Sequence, residues 1–238
     1  CKSIADEAMS VSAALISENI VAQIGPLTSG NVAGSTPIMM ENKVPLIAPA
    51  ATAANVTVDD KTGKTKDYIF RVCFIDPFQG TLMAQFAADN LNAKNAVIYC
   101  DNSSDYGKGL AQYFEKTFTE KGGVILAKEG FVKDDRDFRA TLTKIKSLNP
   151  DFIYVPGYYQ EVAPLIKQAR ELGITVPIGG CDGWDSPDMV SVAGPEALNN
   201  TYFTNHYSSQ DKDPKVVKFV EAFKAKYNKD PDAFAALG

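Results

Sequence analysis

The 238-residue sequence predicts an α/β fold built on parallel sheets. Short apolar runs alternate with longer segments of helix-like spacing, which is the pattern of βαβ crossovers. The runs Ala96 to Cys100 and Phe152 to Val155 are continuously apolar, and Val176 to Ile178 reads the same way, as strands covered by helices on both faces do. Glycines at the ends of helical runs, Gly122-Gly123 after Lys121 and Gly173 after Leu172, supply the left-handed stop that only glycine adopts without a Cβ penalty.

Taken in order, Ile4, Ala5, Ala8, Met9, Leu15 and Ile16 predict a helix over Ile4 to Ile16, followed by a strand from Val21 to Ile24 closed by Gly25-Pro26. A helix from Asn31 to Glu41, a strand from Val44 to Ile47, a loop from Pro49 to Lys66 and a strand from Ile69 to Cys73 come next. The second half reads as helix Phe78 to Leu91, strand Ala96 to Cys100, helix Gly107 to Lys121 and strand Val124 to Ala127. Helix Phe138 to Leu148, strand Phe152 to Val155, helix Glu161 to Leu172 and strand Val176 to Ile178 complete it. A further helix-like run begins at Asp232 and stops at Gly238, so the pattern is that of a fragment.

With 45% hydrophobic and 22% charged residues, the composition is that of a soluble globular protein with a packed core. The net charge of −5 and the lack of a dense Lys/Arg cluster exclude nucleic acid as a partner. The uncharged run Asn19 to Met40 is long enough to cross a bilayer, but Gln23, Gly25, Pro26, Asn31 and Pro37 break it, so no membrane span is expected. The lone histidine, His206, removes most routes to general base catalysis, and no nucleophile stands with a base and an orienting group. Cys1, Cys73, Cys100 and Cys181 lack metal-ligand spacing, so neither a metal nor a cofactor is expected; Cys73 and Cys100, at the ends of apolar runs, read as buried small hydrophobes, and the four thiols also permit two disulfides. Gly107-Lys108-Gly109 falls short of the dinucleotide fingerprint, because Gln112 occupies the third glycine position.

In open α/β sheets ligands bind beyond the carboxyl ends of the strands. There this sequence places Gly25-Pro26-Leu27-Thr28-Ser29-Gly30 and Ala48-Pro49-Ala50-Ala51-Thr52, hydroxyls and backbone N–H groups suited to a carboxylate or a phosphate. Ser29 and Thr52 also suit ordinary caps or turns. Tyr106, Tyr158, Tyr159, Asp182 and Trp184 follow later strands, a set suited to a cation with an apolar body. For each of these, a turn or core-filling role is the alternative.

Together these phrases resemble the branched-chain amino-acid (leucine/isoleucine/valine) binding proteins of bacterial ABC importers. Ile24 to Ser29, Val44 to Thr52, Tyr106-Gly107-Lys108-Gly109, Asn149 to Tyr159, Gln168 to Gly173 and Gly179 to Trp184 carry the likeness over essentially the whole chain. The resemblance implies a type I periplasmic binding protein, two doubly wound parallel-sheet lobes that close on an amino acid by hinge motion. It implies crossings near Phe74 to Asp76 and Phe203 to His206, with residues 1–75 and 207–238 in one lobe and 76–206 in the other, and with N-terminal and C-terminal portions of the family fold missing. Ser29 and Thr52 would bind the α-carboxylate, the Ala50 carbonyl would accept from the α-ammonium, and Asp182, where the family commonly carries a glutamate, would supply the counter-charge. Tyr106 and Tyr158 or Tyr159, with Tyr158 preferred, would cover the ligand, and Leu27, Thr28 and Trp184 would line its side-chain pocket. The implied protein is a monomer in the periplasm or outside the cell, in some forms lipid-anchored, that passes a free amino acid to a membrane permease. The rival readings are an enzyme on the same fold and a ligand-sensing receptor or regulatory domain that binds an amino acid or a small amide.

Overall fold

A computed structural model describes residues 3–238. The chain divides into two units, the first running to Asp76 and including Phe234–Gly238, the second comprising Pro77–Ala233.

The first unit contains α1 (Ala5–Ser17), β1 (Gln23–Ile24), α2 (Ser29–Glu41), β2 (Leu46–Ala48) and β3 (Ile69–Arg71), with the three strands parallel in the order β1-β2-β3. Val32 and Met39 of α2 pack with Leu46, Ala48 and Ile69 in a small core. Helices α1 and α2 approach closely because Gly34 has no side chain: a Cβ there would lie 2.5 Å from the Ala5 carbonyl oxygen. The Ser12 hydroxyl donates to Ser35 Oγ across the same contact at 2.8 Å. Val21, Ile24, Phe70 and Val72 stay exposed, Ile24 at 74%.

The second unit holds a five-stranded, wholly parallel sheet in the order β5-β4-β6-β7-β8, so the two sheets are separate, as a two-lobed fold requires. It runs α3 (Asp76–Gln85, whose first residue closes the first unit), β4 (Asn95–Asp101), α4 (Asp105–Glu120), β5 (Val124–Phe131), α5 (Arg139–Ser147) and β6 (Phe152–Tyr154). It continues with α6 (Tyr159–Glu171), β7 (Ile178–Gly180), α7 (Asp188–Ala193), β8 (Thr201–Phe203), α8 (Pro214–Tyr227) and the start of α9 (Ala233–Leu237). Strands β4 and β6 are buried almost throughout, which is why their sequences are uniformly apolar. Phe114 of α4 stacks on Phe152 and Tyr154 at 5.9 and 4.3 Å between ring centroids.

The structure departs from expectation at five places. The helix expected over Phe78 to Leu91 ends its regular part at Gln85 and continues as a wider π turn over Phe86–Asn90. Strand β5 runs four residues beyond Ala127, where Lys128 and Glu129, on opposite faces of this edge strand, pair with Glu115 and Lys144. Strand β7 lies at Ile178–Gly180 rather than at Val176 to Ile178: the Phe152 and Trp184 rings occupy the space beside Gly179 and Gly180, so only glycines fit that stretch of strand. Elements α7, β8 and α8 lie where the apolar pattern assigns neither helix nor strand.

The fifth concerns how the C-terminal segment groups. Residues 207–233 group with the second unit rather than the first, where the Asp185 carboxylate accepts from the Ala233 N–H at 2.6 Å and from Asn205 Nδ2 at 3.0 Å. Only Phe234–Gly238 of the C-terminal segment joins the first unit. Helix α8 has no buried residue of its own. Cys73, Cys100 and Cys181 are buried thiols, which removes the two-disulfide alternative; Cys1 lies outside the described residues.

Candidate functional site

In the first unit the loops after β1 and β2 are tied together. Ser29 opens α2, and its Oγ accepts from the Ala53 N–H at 3.1 Å, so this hydroxyl bridges two strand-end loops instead of capping its own helix. The loop carrying Ala50 and Thr52 is pinned by Arg71, whose guanidinium donates to the carbonyls of Ala51, Ala53 and Ala54 and to Thr57 Oγ1 at 2.8 to 3.2 Å. Burial pushes the Arg71 pKa down from its ordinary value. Thr52 is fully buried, and its Oγ1 has no hydrogen-bond partner among the described residues. A buried hydroxyl without a partner costs about 1–3 kcal/mol. Ala50 is buried, Thr28 half-buried and Leu27 exposed just before α2.

In the second unit the strand-end residues converge. Ser104 caps α4 by accepting from the Gly107 N–H at 3.1 Å, which sets Tyr106 in the first turn of that helix. Tyr106 stacks on Tyr158, the residue that precedes α6, with ring centroids 4.9 Å apart. Its hydroxyl donates to Asp182 Oδ1 at 2.5 Å and accepts from the Gly183 N–H at 2.9 Å. Gly183 is required here, since a Cβ would lie 2.9 Å from the Gly157 carbonyl oxygen and 3.0 Å from the Tyr106 hydroxyl.

Asp182, 2% exposed, is the hub. Oδ1 also accepts from Gln79 Nε2 at 2.8 Å, and Oδ2 lies 3.0 Å from His206 Nε2. Gln79 Oε1 accepts in turn from the Asp182 N–H at 3.1 Å and from Thr204 Oγ1 at 2.6 Å. Three donors thus occupy a carboxylate that offers about four lone-pair positions, so it can accept one more.

The strand-end reading therefore brings Tyr106, Tyr158 and Asp182 together in one unit, and Ser29, Ala50 and Thr52 in the other. Tyr159 begins α6 and packs beside the core of the second unit instead of on Tyr106. Trp184 is 2% exposed within that core, and its indole N–H donates to the Val155 carbonyl at 3.2 Å. Arg71, Gln79, Thr204 and His206 escaped the sequence reading. Thr204 and His206 directly follow β8, so recognising that strand would have exposed them; Arg71 and Gln79 act through partners distant in sequence.

Among the described residues no cluster of His, Cys, Asp and Glu could hold a metal ion, and no helix is long and apolar enough to cross a membrane.

A family profile described as periplasmic binding protein matches residues 2–238. The leucine-, isoleucine-, valine-, threonine- and alanine-binding protein of Pseudomonas aeruginosa is 28% identical over 231 residues, covering 97% of this chain and 60% of its own length. The crystal structure of a leucine binding protein, LivK, from Thermotoga maritima is 43% identical with a TM-score of 0.90, over 99% of this chain and 65% of that one. The branched-chain amino acid transporter substrate binding protein LivJ of Streptococcus pneumoniae, in complex with isoleucine, is 41% identical with a TM-score of 0.91, over 99% and 66%. The chain thus spans about 60% of the length of the curated relative and about two thirds of each of these structures.

Proposed function

The chain belongs to the periplasmic binding protein family, and from that premise we propose that it is part of an extracytoplasmic solute-binding protein that captures an aliphatic or branched-chain amino acid and delivers it to the membrane permease of an ABC importer. The observation that carries this reading is the buried, partnerless Thr52 hydroxyl at the end of β2. Together with Ser29 it gives the first unit hydrogen-bond donors for an α-carboxylate, which would otherwise lose several kcal/mol on leaving water. Within the second unit, the remaining acceptor position of Asp182 suits an α-ammonium, and the Ala50 carbonyl adds a neutral acceptor from the first. Tyr106 and Tyr158, stacked and hydrogen-bonded, form a preorganised aromatic wall. Leu27 and Thr28 contact the ligand's side chain, whereas Trp184 shapes the strand ends from within the core.

Holding a zwitterion needs donors, an acceptor carboxylate and apolar surface, and this set contains no activated nucleophile. The family is one of solute-binding proteins, and the ligand leaves unchanged. The working form is a monomer outside the cytoplasm, free in the periplasm or anchored by lipid to the cell surface.

The test is Thr52→Val in the intact polypeptide that carries this chain, titrated calorimetrically with leucine, isoleucine and valine. Valine keeps the shape and removes the hydroxyl, so affinity should fall by about 1–3 kcal/mol while thermal stability holds or rises. Unchanged affinity for the ligand would remove Thr52 from the site. Failure of the parent protein to bind any of the three would end the amino-acid reading.

A further inference from the structure

Gln79, in the first turn of α3, is fully buried, and its side-chain amide holds Asp182 at two points. Nε2 donates to the carboxylate at Oδ1, 2.8 Å away, while Oε1 accepts from the Asp182 N–H at 3.1 Å. A backbone N–H can only donate, so the oxygen of the amide must face it, and the NH2 group is thereby turned onto the carboxylate. The Thr204 hydroxyl, just beyond β8, donates to the same Oε1 at 2.6 Å and braces the amide from a third element. A single hydrogen bond leaves a carboxylate free to turn about it. Two from one planar amide, to the main chain and the side chain of the same residue, fix its rotation about Cα–Cβ.

The two carboxylate oxygens are filled unequally. Oδ1 accepts from both Gln79 and the Tyr106 hydroxyl, which matches its two lone pairs. Oδ2 has His206 Nε2 at 3.0 Å and, among the described residues, a second lone pair open. Gln79 is also uncharged, so it stabilises the carboxylate without removing the negative charge that an ammonium needs, as a lysine or arginine in its place would. We infer, on the reading that Asp182 meets the ligand, that Gln79 is a positioning residue: by filling Oδ1 and fixing the rotation of the carboxylate, it presents Oδ2 to the α-ammonium. The ordering is complete before the ligand arrives, so no binding free energy is lost in arranging the counter-charge.

The experiment is a double-mutant cycle read by isothermal calorimetry of the intact polypeptide with L-leucine: the parent, Gln79→Met, Asp182→Asn and the two combined. Methionine keeps the length of glutamine without its hydrogen-bonding groups, and asparagine keeps the shape of aspartate without its charge. Gln79→Met should weaken leucine binding about tenfold in the parent and under about threefold beside Asp182→Asn, because nothing remains to be positioned once the counter-charge is gone. A merely structural glutamine would cost the same factor in both backgrounds. That result overturns the inference, as does a loss under about threefold in the parent, and both leave the amino-acid reading standing. A crystal structure of the parent with leucine is the second measurement, and it decides alone if a variant fails to fold or binds too weakly to titrate. The ammonium nitrogen should lie within hydrogen-bond distance of Oδ2 with Gln79 still on Oδ1; an ammonium on Oδ1, or on neither oxygen, overturns the inference. A parent that binds none of leucine, isoleucine and valine ends both readings.

Discussion

A carboxylate buried as deeply as Asp182 is tolerated only because His206, Gln79 and Tyr106 donate to it, and each of those groups is correspondingly committed to it. Asp182→Ala should therefore destabilise the second unit by about 3–5 kcal/mol in urea denaturation, the range for removing one partner of a buried pair, as well as weaken ligand binding. A loss below about 1 kcal/mol would mean that the network contributes little to stability. Cys100 lends itself to a separate measurement. Burial first, and the Asp101 carboxylate second, push its thiol from the ordinary value of 9.0 up to about 11, so the native thiol stays protonated and poorly nucleophilic at neutral pH. Alkylation of Cys100 near neutral pH should require denaturant, with mass spectrometry locating the adduct. Because the folded value is the raised one, its stabilising contribution is complete below pH 9 and is lost as the pH rises towards about 11.

At the scale of elements, absent side chains set several close contacts. Gly34 allows α2 to lie against the backbone of Ala5, and backbone cannot swing aside as a flexible side chain can. Gly34→Ala should destabilise the first unit by about 1–3 kcal/mol through forced separation of α1 and α2; a thermal melt equal to that of the parent would show that the helices shift freely. Gly180 is tighter still, since its missing Cβ position is filled by the Trp184 ring, which fixes the start of the turn that carries Asp182. Arg71 performs the equivalent service for the Thr52 loop by holding three carbonyls at once. Helix α8 begins at Pro214 with Asp213 accepting from the Lys215 N–H, a start signal legible in the sequence. Its aromatic residues Phe219, Phe223 and Tyr227 pack against one another in succession along the helix, and the helix buries none of its residues.

Across the whole molecule, apolar burial is uneven. The core of the second unit draws on every strand but β8 and on helices α3 to α7, whereas that of the first unit is a small cluster around Leu46 and Ile69. Amide exchange should therefore be slowest in β4 and β6 and fast in β1, where Ile24 and, just before the strand, Val21 stand exposed. Protection in β1 equal to that in β4 would contradict this ranking. The exposed apolar residues around β1 and β3 should also bind a hydrophobic dye when this chain is prepared by itself, and an unresponsive dye would show that surface to be covered.

The amino-acid sequence by itself determined the α/β class, the strands β4 and β6 and the helices α4 and α6, because continuous apolar runs and helical periodicity are local signals that tertiary contacts did not override. It also pointed to Ser29, Thr52, Tyr106, Tyr158 and Asp182, since ligand-facing groups in such folds follow strand ends. Only the tertiary structure decided that β7 runs through two glycines, that Trp184 fills core space, and that residues 207–233 associate with the second unit. Only it brought His206 and Gln79 onto Asp182, 24 and 103 residues away along the chain. Such partners leave no periodic trace, because a hydrogen bond between distant side chains depends on where the fold brings two elements together and not on the residues flanking either one.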